Sequence, residues 1–193
     1  GTAAPIHRDG MSLVSAGTFL MGLNRDIWTT PVHRVEVAAF WMDTTEVTVA
    51  AYEVCVRAGQ CTATSLRGAV CDGTWGDAAK SDHPINCVDW DQAGAFCAWA
   101  KKRLPTEDEW EYAARGTDGR ALPWGNSAPS DDKLCWSGDT GHGTCPAGSF
   151  PAGQSPFGLL DMAGNVWEWT ASAFNETYDR PRSSTMRVLR GGC

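Results

Sequence analysis

The chain has no apolar run approaching the eighteen or so residues that a helical membrane span needs, so no such span is expected. The N-terminal Gly1-Thr2-Ala3-Ala4-Pro5 lacks a charged segment followed by an apolar one and does not read as an export signal. No two cysteines form a C-x2-C pair, the arrangement by which structural zinc gathers thiolates, and zinc is set aside on that ground. No serine occupies a G-x-S-x-G elbow, which removes one sequence sign of Ser-His-Asp hydrolysis. The histidines, His7, His33, His83 and His142, are scattered, with no pair at helical ligand spacing for a non-haem iron. Basic charge is not in excess either: 16 Lys and Arg face 23 Asp and Glu, giving −7 with both signs interspersed. Neither nucleic acid nor an anionic membrane surface is therefore expected as a partner. With no fixed-period repeat and no low-complexity linker, the 193 residues read as one domain.

Cysteine, by contrast, is abundant. The eight cysteines include the local spacings Cys55 to Cys61, Cys87 to Cys97 and Cys135 to Cys145, which favour disulfides and an exported protein, periplasmic, cell-surface or secreted. Gly17 to Gly22, His33 to Val37 (Val35 and Val37 on one face) and Phe40-Trp41-Met42 alternate like strands and predict a small antiparallel sheet. Three helices follow. Thr48 caps one through about Ala58, with Tyr52, Cys55 and Val56 inward and Gly59 as its stop. Asp89 and Gln92 form a capping box for the second, whose buried stripe is Ala93, Phe96, Cys97 and Ala100, with Lys101, Lys102 and Arg103 complementing its dipole. Thr106 and Glu109 box the third, which ends at Gly116; Glu107 and Asp108 suit its first turn as ordinary dipole partners. Beyond Gly116 the chain is rich in Gly, Pro, Ser and Asp, and Trp124, Trp136 and Phe150 are expected to anchor these loops to the core. The pattern is α+β and loop-rich.

Within Gly158-Leu159-Leu160-Asp161-Met162-Ala163-Gly164-Asn165-Val166-Trp167-Glu168-Trp169, neither a helix nor a strand pattern accounts for the residues, and Gly164-Asn165 is a turn signal. Asp161 and Glu168 meet only if the segment folds back on itself. Two carboxylates around a glycine-bearing turn are the chemistry of a calcium cage, which takes oxygens from side chains and carbonyls alike. A surface turn with tryptophans packed beneath it is the competing reading.

This segment resembles the GLxDMxGNVWEW signature of the formylglycine-generating enzyme family, also called the sulfatase-modifying-factor family. Other motifs of that family recur in order: Gly17-Thr18-Phe19-Leu20-Met21-Gly22, Thr45-Glu46-Val47-Thr48, Pro84-Ile85-Asn86-Cys87-Val88-Asp89-Trp90, Arg103-Leu104-Pro105-Thr106-Glu107 onward to Arg115, Pro123-Trp124-Gly125-Asn126 and Arg187-Val188-Leu189-Arg190-Gly191-Gly192. The likeness runs from about Met11 to Cys193, leaving residues 1–10 as an N-terminal extension and 11–193 as the domain, which is expected to lack its C-terminal part.

The resemblance implies a C-type-lectin-like fold with short helices and small antiparallel sheets. It implies calcium held by the side chains of Asp161 and Glu168 and the backbone carbonyls of Gly164 and Val166. A second calcium site of the family aligns near Leu134-Cys135 with Asp139 as its acidic residue; Leu134 and Cys135 cannot replace the family's Asn oxygen, so that site is expected to be empty. Name-giving members hold copper with two thiolates beyond the Gly-Gly motif, and Cys193 aligns with neither, so no catalytic residue is assigned. The expected function is a calcium-stabilised binding or structural scaffold with a protein or peptide ligand. The alternative is a copper- and O2-dependent formylglycine-generating oxidase acting on sulfatase cysteines, its own cysteine pair lying beyond Cys193. By the same resemblance Cys135 pairs with Cys145, Cys55, Cys61, Cys71 and Cys87 form two bridges among themselves, and Cys97 is a buried free thiol.

Overall fold

A computed structural model describes residues 4–23, 29–64, 72–136, 143–175, 178 and 185–192. Among the described residues, three small antiparallel sheets and three short α-helices are joined by long loops that include two 3-10 turns. Strands β1 (His7–Arg8), β2 (Met11–Val14) and β5 (Phe40–Asp43) form one sheet in the order β1-β2-β5. Strands β3 (Gly17–Met21) and β4 (His33–Val37) form a second, and β6 (Gly164–Ala173) and β7 (Arg187–Gly192) a third. The single opening sheet expected from sequence is therefore two: β5 leaves the β3–β4 pair and lies against β2, Leu13 opposite Trp41. Val37 is buried and Val35 packs beside it, as the alternation of β4 requires.

The helices start where their caps place them. Helix α1 (Val49–Arg57) opens with the Ala51 N–H donating to Thr48 Oγ1 at 3.2 Å. Helix α2 (Trp90–Trp99) carries the reciprocal box, Gln92 N–H to Asp89 Oδ1 at 2.8 Å and Asp89 N–H to Gln92 Oε1 at 3.0 Å. Helix α3 (Glu107–Arg115) does the same with Thr106 and Glu109 and ends at Gly116 in a positive-φ conformation. Satisfying free N–H groups in this way contributes about 1 kcal/mol per cap.

Two apolar clusters result. The larger packs Trp110, Tyr112, Ala113 and Ala114 of α3 on Val14, Phe19, Met21 and Val37, with Leu159 and Met162 from the loop before β6. The smaller lies between α1 and α2, where Tyr52 stacks on Phe96 with ring centroids 5.7 Å apart. Each fully buried large side chain contributes about 1.5–3 kcal/mol. Only Phe96 of the expected α2 stripe is fully buried; Ala93, Cys97 and Ala100 are half-buried because they face a cavity. The cations after α2 do more than complement its dipole: Lys102 pairs with Asp43 at 2.5 Å and Arg103 with Glu109 at 2.7 Å.

Trp124 and Trp136 pin their own loops rather than the core. Their indole N–H groups donate to the Ser127 carbonyl at 3.1 Å and to Asp131 Oδ1 at 2.9 Å. Cys55–Cys61 and Cys135–Cys145 are disulfides, and Cys87 is disulfide-bonded as well. Cys97 is free, so the Cys87 to Cys97 spacing does not mark a bridge. Cys71, Asp139, His142 and Cys193 lie outside the described residues. Among the described residues no helix is long and apolar enough to cross a membrane.

Candidate metal centre

The twelve-residue segment from Gly158 is only half a loop. Residues from Gly164 onward belong to β6, which corrects the expectation that no strand runs through it. The turn signal survives as backbone irregularity. Asp161, Gly164 and Asn165 all take positive φ, at 56°, 92° and 59°, and the β6–β7 register shifts between Gly164 and Trp167. Side-chain alternation is broken there, so the acids do not have to follow the pleat.

Glycine at 164 is required twice over: its φ lies in the left-handed region, and a Cβ there would collide with the Cys135 carbonyl oxygen. Asn165 fixes the same corner from the other side. Its N–H donates to the Cys135 carbonyl at 2.8 Å, while its Oδ1 accepts from the Cys145 N–H at 3.0 Å and its Nδ2 donates to the Cys145 carbonyl at 3.3 Å. The disulfide-closed Cys135–Cys145 loop thus supports the bend, and the Gly148 N–H just beyond it donates to Asp161 Oδ2 at 2.5 Å.

Asp161 is buried, and burial pushes its carboxyl above the usual range, the Gly148 N–H and Glu46 opposing that rise. Glu168 is only partly buried as a residue, yet protein packs round its carboxyl. That burial pushes it up to about 7, with the indole N–H of Trp110 opposing at 3.1 Å and the Asp161 charge adding to the rise. The Asp161 charge thus acts on Glu168. Val166 and Glu168 face the same cavity.

Sequence reasoning missed the third member. Glu46, between β5 and α1, has both carboxylate oxygens buried with no hydrogen-bond partner. Burial raises its carboxyl strongly, and the Glu168 and Asp161 charges raise it further. Among the described residues, none of the three forms a salt bridge with a Lys or Arg. The signal was present in Thr45-Glu46-Val47-Thr48, where an acid sits between apolar and cap residues, but spacing alone does not say that it turns toward residue 161.

Such a set fits a hard cation: oxygen donors only, an excess of negative charge, and unsatisfied lone pairs shut away from water. Among the described residues, no three His, Cys, Asp or Glu side chains converge tightly enough to hold an ion by themselves. The cage read from sequence draws half of its oxygens from backbone carbonyls, those of Gly164 and Val166. The described histidines do not join the site: His7 is on β1, His33 on β4, and His83 Nδ1 lies 2.9 Å from Thr144 Oγ1.

Beside these acids a cavity of about 540 Å³ opens between β5, α2 and the start of β6. Trp41, Phe96, Trp167 and Trp169 line it, and Trp167 is 60% exposed.

Similar proteins agree with this frame. The inactive C-alpha-formylglycine-generating enzyme 2 of Mus musculus is 45% identical over 122 residues, covering 58% of this chain and 38% of its own length. The formylglycine-generating enzyme of Mus musculus is 32% identical and spans 97% of this chain and 67% of its own. The chain thus covers well under half of the first relative and two-thirds of the second. Among solved structures, PvdO from Pseudomonas aeruginosa superposes with a TM-score of 0.76 at 26% identity, over 94% of this chain and 81% of that one. Treponema denticola variable protein 1 shares the fold, with a TM-score of 0.70 at 22% identity, over 94% and 82%. The family described as sulfatase-modifying factor enzyme 1-like domain matches residues 2–193. With an α+β, loop-rich architecture and the motifs in order, the chain belongs to the sulfatase-modifying factor, or formylglycine-generating enzyme, family.

Proposed function

We propose that this chain is a calcium-stabilised domain of the family that serves as a binding or structural scaffold, exported to an oxidising compartment. The observation that carries the calcium reading is the pair of acids at the start of β6: Asp161 is buried, protein packs round the Glu168 carboxyl, and among the described residues neither forms a salt bridge. Asp161 and Glu168 would hold the ion by side chain, Gly164 and Val166 by carbonyl. Calcium bound there supplies the positive charge that the cluster lacks. The protein's own contribution is rigidity: the Gly148 N–H, the Trp110 indole and the Asn165 clamp orient the donors before any ion arrives. The cavity beside the site, walled by indoles and open at Trp167, is where a protein or peptide ligand would insert an apolar side chain.

Disulfides support the exported reading, since cytosolic thiols are kept reduced. They also bear on chemistry. Copper of the family's kind needs two thiolates, and among the described residues one cysteine, Cys97, is free. The scaffold reading predicts that these 193 residues, given Cu(I), O2 and a cysteine-containing sulfatase-type peptide, yield no aldehyde by mass spectrometry. A formylglycine product lost on Cys193→Ser would overturn it. The second reading, a copper-dependent oxidase completed by cysteines beyond Cys193, is favoured by the similarity to a formylglycine-generating enzyme across nearly the whole chain. A thermal melt tests calcium separately. At calcium about 100-fold above its dissociation constant the ion adds about 2.7 kcal/mol, and Asp161→Ala should abolish the shift. Equal melting temperatures in calcium and in chelator would refute the calcium reading.

A further inference from the structure

Charge is sorted by sign around the indole-walled cavity. Strands β6 and β7 bury Thr170 and Val188 on one face and leave Trp167 and Leu189 exposed on the other. Gly191 stands opposite Trp167 and Leu189 opposite Trp169, so this outer face is apolar and runs into the cavity through the two indoles. An exposed apolar face that continues into an open cavity is a surface suited to a partner chain. Acids are withdrawn from it. Of the carboxylates lining the cavity, Asp43 is paired with Lys102, the Glu46 oxygens are sealed from water, and protein packs round Glu168.

Cations, by contrast, remain available. Exposed Lys101 lines the cavity, and exposed Arg8 lies over the ring of Trp41, another lining residue, at 4.4 Å. Arg187, two residues before Leu189 on the same strand, lies over Trp90 at 4.2 Å. Among the described residues, none of these three cations has an acidic partner. A chain of net charge −7 thus edges this apolar surface with unpaired positive charge. Resting on the reading of the cavity as a peptide-binding site, we infer that its ligand is an acidic segment of a partner protein. An aromatic or aliphatic side chain of that segment fills the cavity, and flanking carboxylates meet the cations of the rim. Apolar burial supplies the anchor, and the cations select the sign of the residues beside it.

Fluorescence anisotropy with two fluorescein-labelled hexapeptides provides the test, one with Phe-Leu at its centre and two glutamates on each side, the other with lysines in place of the glutamates. At low salt the acidic probe should bind at least tenfold more tightly than the basic one. The preference should shrink as salt approaches about 1 M, where screening acts beyond about 3 Å. Lys101→Glu combined with Arg187→Glu should abolish the preference, whereas Trp167→Ala should weaken both probes alike. A melting curve on each variant separates a lost contact from a damaged fold. If the lysine probe binds as well as the acidic one and Trp167→Ala weakens both, the cavity takes a peptide that charge does not choose, which overturns the acidic ligand alone. A preference that survives the double charge reversal overturns it too, since the cations of the rim are then not its source. If neither probe binds, the peptide-binding reading fails and the acidic ligand with it.

Discussion

The Trp110 indole donates to the Glu168 carboxylate at 3.1 Å, although Arg190 stands directly opposite Glu168 in the β6–β7 register. The obvious cross-strand ion pair is not made. Arg190 turns to α3 instead, reaching Glu107 at 2.5 Å, Glu111 at 3.0 Å and the Tyr178 hydroxyl at 2.9 Å, while Glu111 also pairs with Arg115. The network locks α3 to β7 and leaves Glu168 without a cationic side chain. Glu107 stays in the first turn of α3, as its sequence position suggests, and its buried carboxylate is paired with Arg190 besides.

Arg190→Met should consequently destabilise the domain by about 3 kcal/mol, because the buried Glu107 carboxylate loses its ion-pair partner while Glu111 keeps Arg115. The calcium-induced melting shift should stay unchanged, since Arg190 does not serve the metal centre. Chemical denaturation with and without calcium checks both, and a lost calcium shift would show that Arg190 acts on Glu168 after all.

Gly164→Ala tests the bend that brings the acids together. The substitution places a side chain at positive φ against the Cys135 carbonyl, so it should cost well over about 1 kcal/mol. Part of that loss should appear as a weaker response to calcium, because Gly164 both turns the chain and offers a carbonyl. A variant as stable and as calcium-responsive as the parent would show that the turn is relaxed.

Removal of the Cys135–Cys145 bridge by paired Cys→Ala changes should cost about 3 kcal/mol in the chain-entropy model. The Asn165 clamp on Cys135 and Cys145 then loses its rigid partner, and calcium affinity should fall along with stability. Removing Cys55–Cys61, which staples the end of α1, should cost about 2 kcal/mol and leave calcium affinity alone. Equal effects of both pairs on calcium would refute this division.

These contrasts follow what the sequence could reveal. Capping boxes are local, so Asp89 with Gln92 and Thr106 with Glu109 were legible residue by residue and the helices begin as expected. Asp161 and Glu168 were legible because the motif that holds them is contiguous. Glu46 was not, since its approach to them depends on how β5 and α1 pack against β6, which no periodicity records. The same holds for the Arg190 network and for the departure of β5 from the β3–β4 pair. Each is a long-range choice among partners that look equivalent in sequence.

Glu109 supplies a pH dependence of known sign. Burial alone would raise its carboxyl, but the Arg103 guanidinium and the Thr106 N–H and hydroxyl outweigh burial and hold it below the usual value of 4.5. A depressed folded value means that its stabilisation is fully present above about 4.5 and is lost as pH falls through the lower folded value. Glu109→Gln should cost about 1 kcal/mol at neutral pH, a modest figure because Arg103 is mostly exposed. The gap to the parent should close as pH falls below 4.5. A gap that persists undiminished at pH 2 would assign the loss to packing rather than charge.

Cys97 is free, as the resemblance implied, but it is only half-buried, on the wall of the cavity, not sealed in the core. Its thiol is held above the ordinary value, chiefly by burial and then by the Asp43 charge, with Lys102 opposing. A small neutral reagent should accordingly alkylate Cys97 in the native protein, slowly at pH 7 and faster as pH climbs past 9. Asp43→Asn removes the opposing anion and releases Lys102 from its ion pair, and both changes favour the thiolate. Labelling at pH 8 should then accelerate several-fold with the fold intact, measured by intact-mass kinetics beside a melting curve. If labelling begins only as the protein unfolds, the cavity is closed to the reagent in solution; if Asp43→Asn leaves the rate unchanged, Asp43 does not govern the thiol.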